Sequence, residues 1–292
     1  MRRKIGRRWG AVLLLGAALG WGTMTTEGQA QDPSGEAILA RFERMVQFNL
    51  DNEHVWSSGR IDSLMRRIEG EPLGERIAFW ADAFYEDGRT RYRFGLDPGG
   101  YVTEGRLCDD FAMDCVLFFY RITELGRSSS AREAVQFAFG TRFYGASVEE
   151  AILPDGRVRY DHFSHLDYSE DILRTGIWGA NVTEKIGPIA RDPGNVRFGP
   201  DTLSYVPKER IDTSALRSGD LVYFLLDENH PKGSEDRAGG TLIAHLGILA
   251  RQGDRVDLIH AAQRGLEGLY EGGRIEKVPL KTYLERVDRF KG

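Results

Sequence analysis

The sequence predicts an α+β fold in which helices come first and a sheet follows. Three observations carry that expectation. Apolar residues recur at helical spacing across residues 34 to 90, a cysteine sits in an apolar helical run near residue 115, and after Pro207 the apolar runs shorten and are bounded by turn residues.

The chain opens on Arg2, Arg3, Lys4, Arg7 and Arg8, continues into the apolar run Ala11 to Gly20, and exits through Gly28-Gln29-Ala30. A basic start, an apolar stretch short for a membrane span and a small-residue exit describe a secretory signal peptide over residues 1–30. An uncleaved anchor helix is the competing expectation. Arg7-Arg8-Trp9 is a weak twin-arginine signal, and no cysteine near the exit marks a lipoprotein. Cleavage removes five basic residues and one acidic one, taking the formal net charge from −5 to −9 over 262 remaining residues. The signal makes this acidic chain an expected exported protein, periplasmic or secreted. It is not expected to bind nucleic acid, or a membrane once the signal is gone.

Residues 31–100 form the N-terminal helical region. Ala37, Ile38, Ala40, Phe42, Met45, Val46 and Phe48 trace one apolar face, and Ile61, Leu64, Met65 and Ile68 a second. A third helix begins near Gly74, with Trp80, Phe84 and Tyr85 expected as core against the rest of the molecule. The Gly- and Pro-bearing stretch from Asp87 to Gly105 reads as a loop.

Residues 101–292 form the catalytic domain, with an insertion at about 140–210. The cysteine helix is expected over Phe111 to Leu125, capped by Asp109 or Asp110, which places Cys115 in its second turn. Ala131 to Phe139 reads as another helix, and Tyr160 to Gly187 has no clean period. Strands follow at Leu221 to Leu226, Thr241 to Ala250 and Val256 to Ala262, the last two joined by the turn Arg251-Gln-Gly-Asp-Arg255. Asp227 to Gly240 is a long polar loop, of a length usually tied to function.

Cys108 and Cys115 are the two cysteines, so no disulfide framework holds the fold. In an oxidising compartment they would most simply pair. Against this, a helix start lies between them, and two histidines supply a separate reason for a thiol. His245 interrupts the apolar strand Ile-Ala-His-Leu-Gly-Ile, and His260 interrupts Leu-Ile-His-Ala-Ala. A thiol at a helix start and a base on a sheet are the parts of a nucleophilic acyl-transfer site. Asp161, His162, His165 and Asp167 could be drawn as a metal site, but without a helical frame a solvated loop is the simpler reading.

The order of Cys115, Gly219-Asp220-Leu-Val-Tyr-Phe, His245-Leu-Gly-Ile and Ile259-His260-Ala resembles the NlpC-type papain-like cell-wall hydrolases. The 130 residues from Cys115 to His245 exceed a minimal domain of that kind. Over roughly residues 70 to 292 the chain looks like the N-acetylmuramoyl-L-alanine amidase-like branch. The motifs are Phe111-Ala-Met-Asp-Cys-Val-Leu-Phe, Arg159-Tyr-Asp-His-Phe-Ser-His-Leu-Asp-Tyr-Ser-Glu-Asp171, Asn181-Val-Thr-Glu-Lys-Ile-Gly187 and Ser204-Tyr-Val-Pro-Lys208. Departures occur at Leu117, where a small hydroxyl residue is usual, at the missing acidic residue ending that motif, and at Asp167, where histidine is expected.

The resemblance implies a papain-like core in which the cysteine helix packs on an antiparallel sheet. It implies Cys115 as nucleophile, His245 as base and His260 as the residue that orients it, a place asparagine or glutamine can also fill. It also implies a peptidoglycan or muropeptide substrate cut between N-acetylmuramic acid and L-alanine, with no metal and no organic cofactor. Asp114, Tyr168 and Asn181 are candidate substrate contacts or, equally, packing and capping residues. A D-glutamyl endopeptidase and a non-catalytic muropeptide-binding protein with Cys108 paired to Cys115 remain alternatives.

Overall fold

A computed structural model describes residues 33–165, 176–193, 202–227, 229 and 243–292. The expected signal peptide, Asp167, Tyr168 and most of the loop from Asp227 to Gly240 lie outside the described residues. Three helices open the described residues: α1 (Pro33–Leu50), α2 (Ser58–Arg67) and α3 (Leu73–Asp87). No helix among the described residues is long and apolar enough to cross a membrane. Trp80 and Phe84 on α3 are fully buried, as expected, whereas Tyr85 is 38% exposed and is not core. Its position next to Phe84 turns it off the buried stripe of the helix.

The predicted loop from Asp87 to Gly105 holds two short elements, β1 (Arg91–Tyr92) and α4 (Tyr101–Glu104). After it come β2 (Ala112–Met113), α5 (Cys115–Arg127), α6 (Ala131–Arg142) and α7 (Val148–Ala151). The strands β3 (Ala190–Pro193) and β4 (Thr202–Tyr205) form a separate two-stranded sheet. The main strands are β5 (Leu221–Leu225), β6 (Ile243–Gln252), β7 (Arg255–Ala262) and β8 (Arg274–Pro279), and α8 (Leu280–Arg286) follows. The main sheet runs β2-β1-β8-β7-β6-β5, antiparallel except for the parallel pair β1–β2. The fold is therefore mixed α+β.

Side-chain alternation along the strands gives the sheet two covered faces. Ile248, Ala250, Ile259, Ala261 and Ile275 join Leu117, Phe118 and Ile122 of α5, Trp80 and Phe84 of α3, and Ile61 and Leu64 of α2 in one cluster. The N-terminal helices thus share a core with the sheet. Leu249, Leu258, Val278 and Phe224 point the other way, against Tyr283 and Leu284 of α8.

The cysteine helix is buried all round: every residue from Val116 to Gly126 is inside. At its far end Gly126 allows α3 to come close, since a Cβ there would lie 2.6 Å from Cγ1 of Ile77. Such an element has no polar face for solvent and must be covered by neighbours. α3, α6 and the sheet supply part of that cover. The insertion supplies more: Trp178 stacks on Tyr120 with ring centroids 5.0 Å apart, and Arg127 donates to the carbonyl of Ile177.

Candidate active site

The start of α5 is decided by what precedes it. β2 is held by β1 through Arg91↔Ala112 and Tyr92↔Met113, and β1 is held by β8 through Arg91↔Arg274. Directly after Met113, Asp114 caps the helix, its carboxylate accepting the N–H of Leu117 at 2.8 Å. The helix therefore begins four residues later than expected, and Cys115 is its first residue rather than a member of its second turn. Asp109 and Asp110, the expected caps, are engaged elsewhere. Asp109 accepts from the N–H of Ala112, and Asp110 pairs with Arg121 at 2.8 Å and lies 3.3 Å from His54. Burial alone would raise the pKa of Asp110, but Arg121 and His54 outweigh it and hold the carboxyl below its ordinary range.

These ion pairs fix the approach to the thiol. Arg121, two turns into α5, ties back to Asp110. Arg142 of α6 is fully buried, pairs with Glu124 at 2.6 Å and donates to the carbonyl of Leu107 at 2.8 Å. The segment from Leu107 to Asp114 is thus bolted to the helix that it introduces.

As the first helical residue, Cys115 has an N–H with no acceptor inside the helix. That N–H and the N–H of Leu246 are both directed at the cysteine sulfur and favour its ionised form. Leu246 is free to do this because β6 and β7 part company. Their register ends at Ile248↔Ile259, while β6 stays paired to β5 as far as His245 and Ile243, and β7 stays paired to β8 as far as Ala262. An irregularity between Phe224 and Leu225 adds a kink at the same end of the sheet. The thiol sits at this opening.

His245 and His260 span the same opening from the α8 side of the sheet. Nε2 of His245 lies 2.7 Å from Nδ1 of His260, and both residues are buried. Aromatic rings enclose the pair. His245 stacks with Phe224 and Phe290, while His260 meets Tyr270 and Tyr283 edge-on. Gly247 between them matters for packing, since a Cβ there would come within 2.4 Å of Cδ1 of Leu258 and 3.4 Å of the His260 Cβ.

The electrostatics favour neutral groups. Burial, helped by Asp114, pushes the Cys115 thiol up to about 12 despite the two N–H groups and Arg289. Burial, then His260 and Arg289, holds His245 well below an ordinary imidazole, and burial with Arg289 takes His260 down to about 3.

The other sequence candidates fare differently. Asp114 is buried, and both its carboxylate oxygens are occupied, one by Leu117 N–H and one by Gly95 N–H at 2.9 Å. It caps the helix rather than facing a substrate. Asn181 is exposed and accepts from the N–H and hydroxyl of Thr183, an Asx turn at the surface. It lines a pocket with Lys185 and Ser204 to which neither the thiol nor the histidines contribute. Tyr168 lies outside the described residues. His162 accepts from the N–H of Ser164, and His165 is packed between the rings of Phe143 and Tyr160, where burial lowers it to about 4.

Cys108 and Cys115 are free thiols in different apolar clusters, which goes against a disulfide between them. Cys108 is fully buried, and burial raises it to about 11. Sequence reasoning missed Tyr270, Tyr283, Arg289 and Phe290, which complete the surroundings of the histidines. They follow the last strand read from the sequence, and nothing in their local pattern points back to residue 115.

No protein-family model matches the chain, and no curated relative does. Its fold is nonetheless shared. A protein of Legionella pneumophila str. Philadelphia 1, assigned to the family model DUF1460, superimposes with a TM-score of 0.54 at 15% identity, covering 80% of this chain and 92% of that one. An N-acetylmuramoyl-L-alanine amidase from Bacteroides uniformis gives 0.50 at 16% identity, covering 75% of this chain and 96% of that one. At such identities the likeness is one of fold. It runs through nearly the whole of both neighbours.

Proposed function

We propose that this protein is a cysteine amidohydrolase of peptidoglycan fragments, exported from the cytoplasm, that cuts between the lactoyl group of N-acetylmuramic acid and L-alanine. The single observation that carries the chemistry is the 2.7 Å pairing of His245 Nε2 with His260 Nδ1, with the helix-start Cys115 met by the N–H of Leu246, the residue after His245. The substrate class rests on the sequence resemblance and on the name of the amidase neighbour from Bacteroides uniformis.

With Nε2 of His245 donating to Nδ1 of His260, the lone pair of His245 is at Nδ1, available to the thiol. Thiol and imidazole both start neutral, so the proton moves from Cys115 to His245 Nδ1 as sulfur attacks the lactoyl carbonyl carbon. The oxyanion that forms is met by the Cys115 N–H at the positive end of α5. The imidazolium then returns its proton to the alanine nitrogen, the C–N bond breaks, and a thioester remains. Water, deprotonated by His245, releases the sugar with a free lactoyl carboxylate.

The endopeptidase alternative needs a carboxylate near the thiol for the free amine of L-alanine. Asp114 is the candidate, and it is buried beneath the helix start with each oxygen accepting a backbone N–H. Incubation of the mature protein with a muramyl tripeptide, with products separated by mass, tests the reading. Release of a tripeptide beginning with L-alanine is expected. Release of the third residue, with L-alanine still on the sugar, would replace it by the endopeptidase.

A further inference from the structure

The segment around Phe290 folds back onto the candidate site and carries a cation to its edge. The end of β5 is extended by this segment: Leu226 bridges to Phe290, Asp227 N–H donates to the Arg289 carbonyl at 2.8 Å, and Lys291 N–H to the Leu225 carbonyl at 3.0 Å. Arg289 is thus held on a sheet edge, not on a free tail. Its guanidinium lies 4.6 Å over the ring of Phe290, the same ring that stacks with His245 at 6.3 Å and with Phe224 at 5.2 Å. Its positive charge is felt by Tyr283, whose ring packs on His260 at 5.2 Å.

Arg289 therefore stands at the edge of the ring cluster that encloses both histidines. Its charge bears on Cys115, His245, His260, Tyr270 and Tyr283 alike. Among the described residues no carboxylate pairs with it. A half-buried guanidinium over the Phe290 ring thus has, among the described residues, none of the anions that its planar, five-donor head is built to hold. An arginine kept there lowers the basicity of both histidines, a cost to the general base unless the cation has its own use. The protein as a whole is acidic, so an anionic substrate must be drawn in by a local positive charge.

We propose that Arg289 is a specificity-determining residue that binds a carboxylate of the leaving peptide beside Cys115, so that the site selects acidic stem peptides. The proposal deepens the amidohydrolase reading and rests on it for the nature of the substrate. The guanidinium would make a charge-assisted pair with a carboxylate within two residues of the scissile nitrogen, and the flat face of Phe290 would fix its orientation.

The test separates this proposal from the amidohydrolase reading. In a first arm the mature protein is alkylated with iodoacetate, which is anionic, and with iodoacetamide, its neutral analogue. Sulfur of Cys115 displaces iodide in both, and peptide mass spectrometry distinguishes Cys115 from buried Cys108. The ratio of the two rates cancels any change in thiol acidity. Arg289→Gln is expected to lower the iodoacetate-to-iodoacetamide ratio by about ten-fold or more, the value of a hydrogen bond to a charged group. Arg289→Lys, which keeps the charge and the packing stem, is expected to retain most of it. A ratio that stays within about two-fold in both variants would overturn the proposal.

In a second arm, N-acetylmuramoyl-L-alanyl-D-glutamate is compared with the analogue in which both carboxyls are amidated. The native protein should favour the acid through KM, and Arg289→Gln should erase that preference. Equal cleavage of acid and amide by the native protein would also overturn the proposal. If neither compound is cleaved while the alkylation ratio responds to Arg289, the amidohydrolase reading fails and the anion site stands.

Discussion

His245 and His260 meet nitrogen to nitrogen at 2.7 Å, across the place where β6 and β7 cease to pair. An imidazole orienting another imidazole differs from a carboxylate in the same role. It fixes the tautomer without placing a full negative charge beside the base, and both rings can stay neutral in a buried, aromatic setting. A site assembled in this way depends on geometry more than on charge.

The first expectation concerns that geometry. Cys115→Ala should lower muropeptide hydrolysis by about 10³-fold or more, with His245→Ala close behind. His260→Asn, which can still accept from Nε2 of His245, should retain far more activity than His260→Ala. Steady-state kinetics on the four variants, each checked for an unchanged melting temperature, measures this. Equal losses for His260→Asn and His260→Ala would show that the orienting bond is unimportant.

The second concerns pH and stability. His260 titrates at about 3 in the fold, and His245 is also held far down, against an ordinary value of 6.5. Between these values the unfolded chain binds protons that the folded protein does not, so stability rises with pH there. The contribution is whole above about 6.5 and is lost progressively as pH falls towards 3. Asp110, held below its ordinary range, adds a loss of the same sign at lower pH. The melting temperature should fall steadily from pH 7 to pH 4, and His260→Asn should flatten the slope. A slope unchanged in that variant would contradict the assignment.

The third concerns the alkylation profile. With the thiol near 12 and the base far below 6.5, no acid limb should appear around pH 6 to 7. The rate of Cys115 modification by iodoacetamide should climb into the alkaline range instead. A plateau reached by pH 7 would mean that thiol and imidazole exist as an ion pair.

The fourth concerns the frame behind the thiol. Glu124 and Arg142 are both fully buried and joined by two hydrogen bonds, at 2.8 and 2.6 Å. Glu124→Ala leaves a buried guanidinium without its counter-ion and should cost about 3–5 kcal/mol in denaturant unfolding. Removing both charges together, as Glu124→Leu with Arg142→Met, should cost much less than the single change.

Much of the architecture could be read directly. The three N-terminal helices, α6, and strands β5, β6 and β7 stand close to where hydrophobic spacing placed them, because each has a buried face long enough to show its period. Cys115, His245 and His260 were singled out for a related reason: each is a reactive side chain in a run otherwise made for burial, an anomaly visible without coordinates. The start of the cysteine helix was not legible. Asp109, Asp110 and Asp114 are chemically equal as caps, and only the partners that claim Asp110, Arg121 and His54, leave Asp114 for the role. The two-residue strands β1 and β2 are too short to carry any period, yet they set where the thiol stands.

The sequence by itself determined the order of the elements, the acidic character of the chain and the reactive groups on offer. Those follow from local pattern and composition, which the chain carries wherever it folds. Tertiary structure alone decided that β6 and β7 part beyond the Ile248↔Ile259 pair, that the two imidazoles meet there, and that a C-terminal edge brings Phe290, with Arg289 over its ring, back to them. These are contacts between residues distant along the chain. Each depends on register, and a slip of one residue would turn His245 or His260 to the opposite face of the sheet.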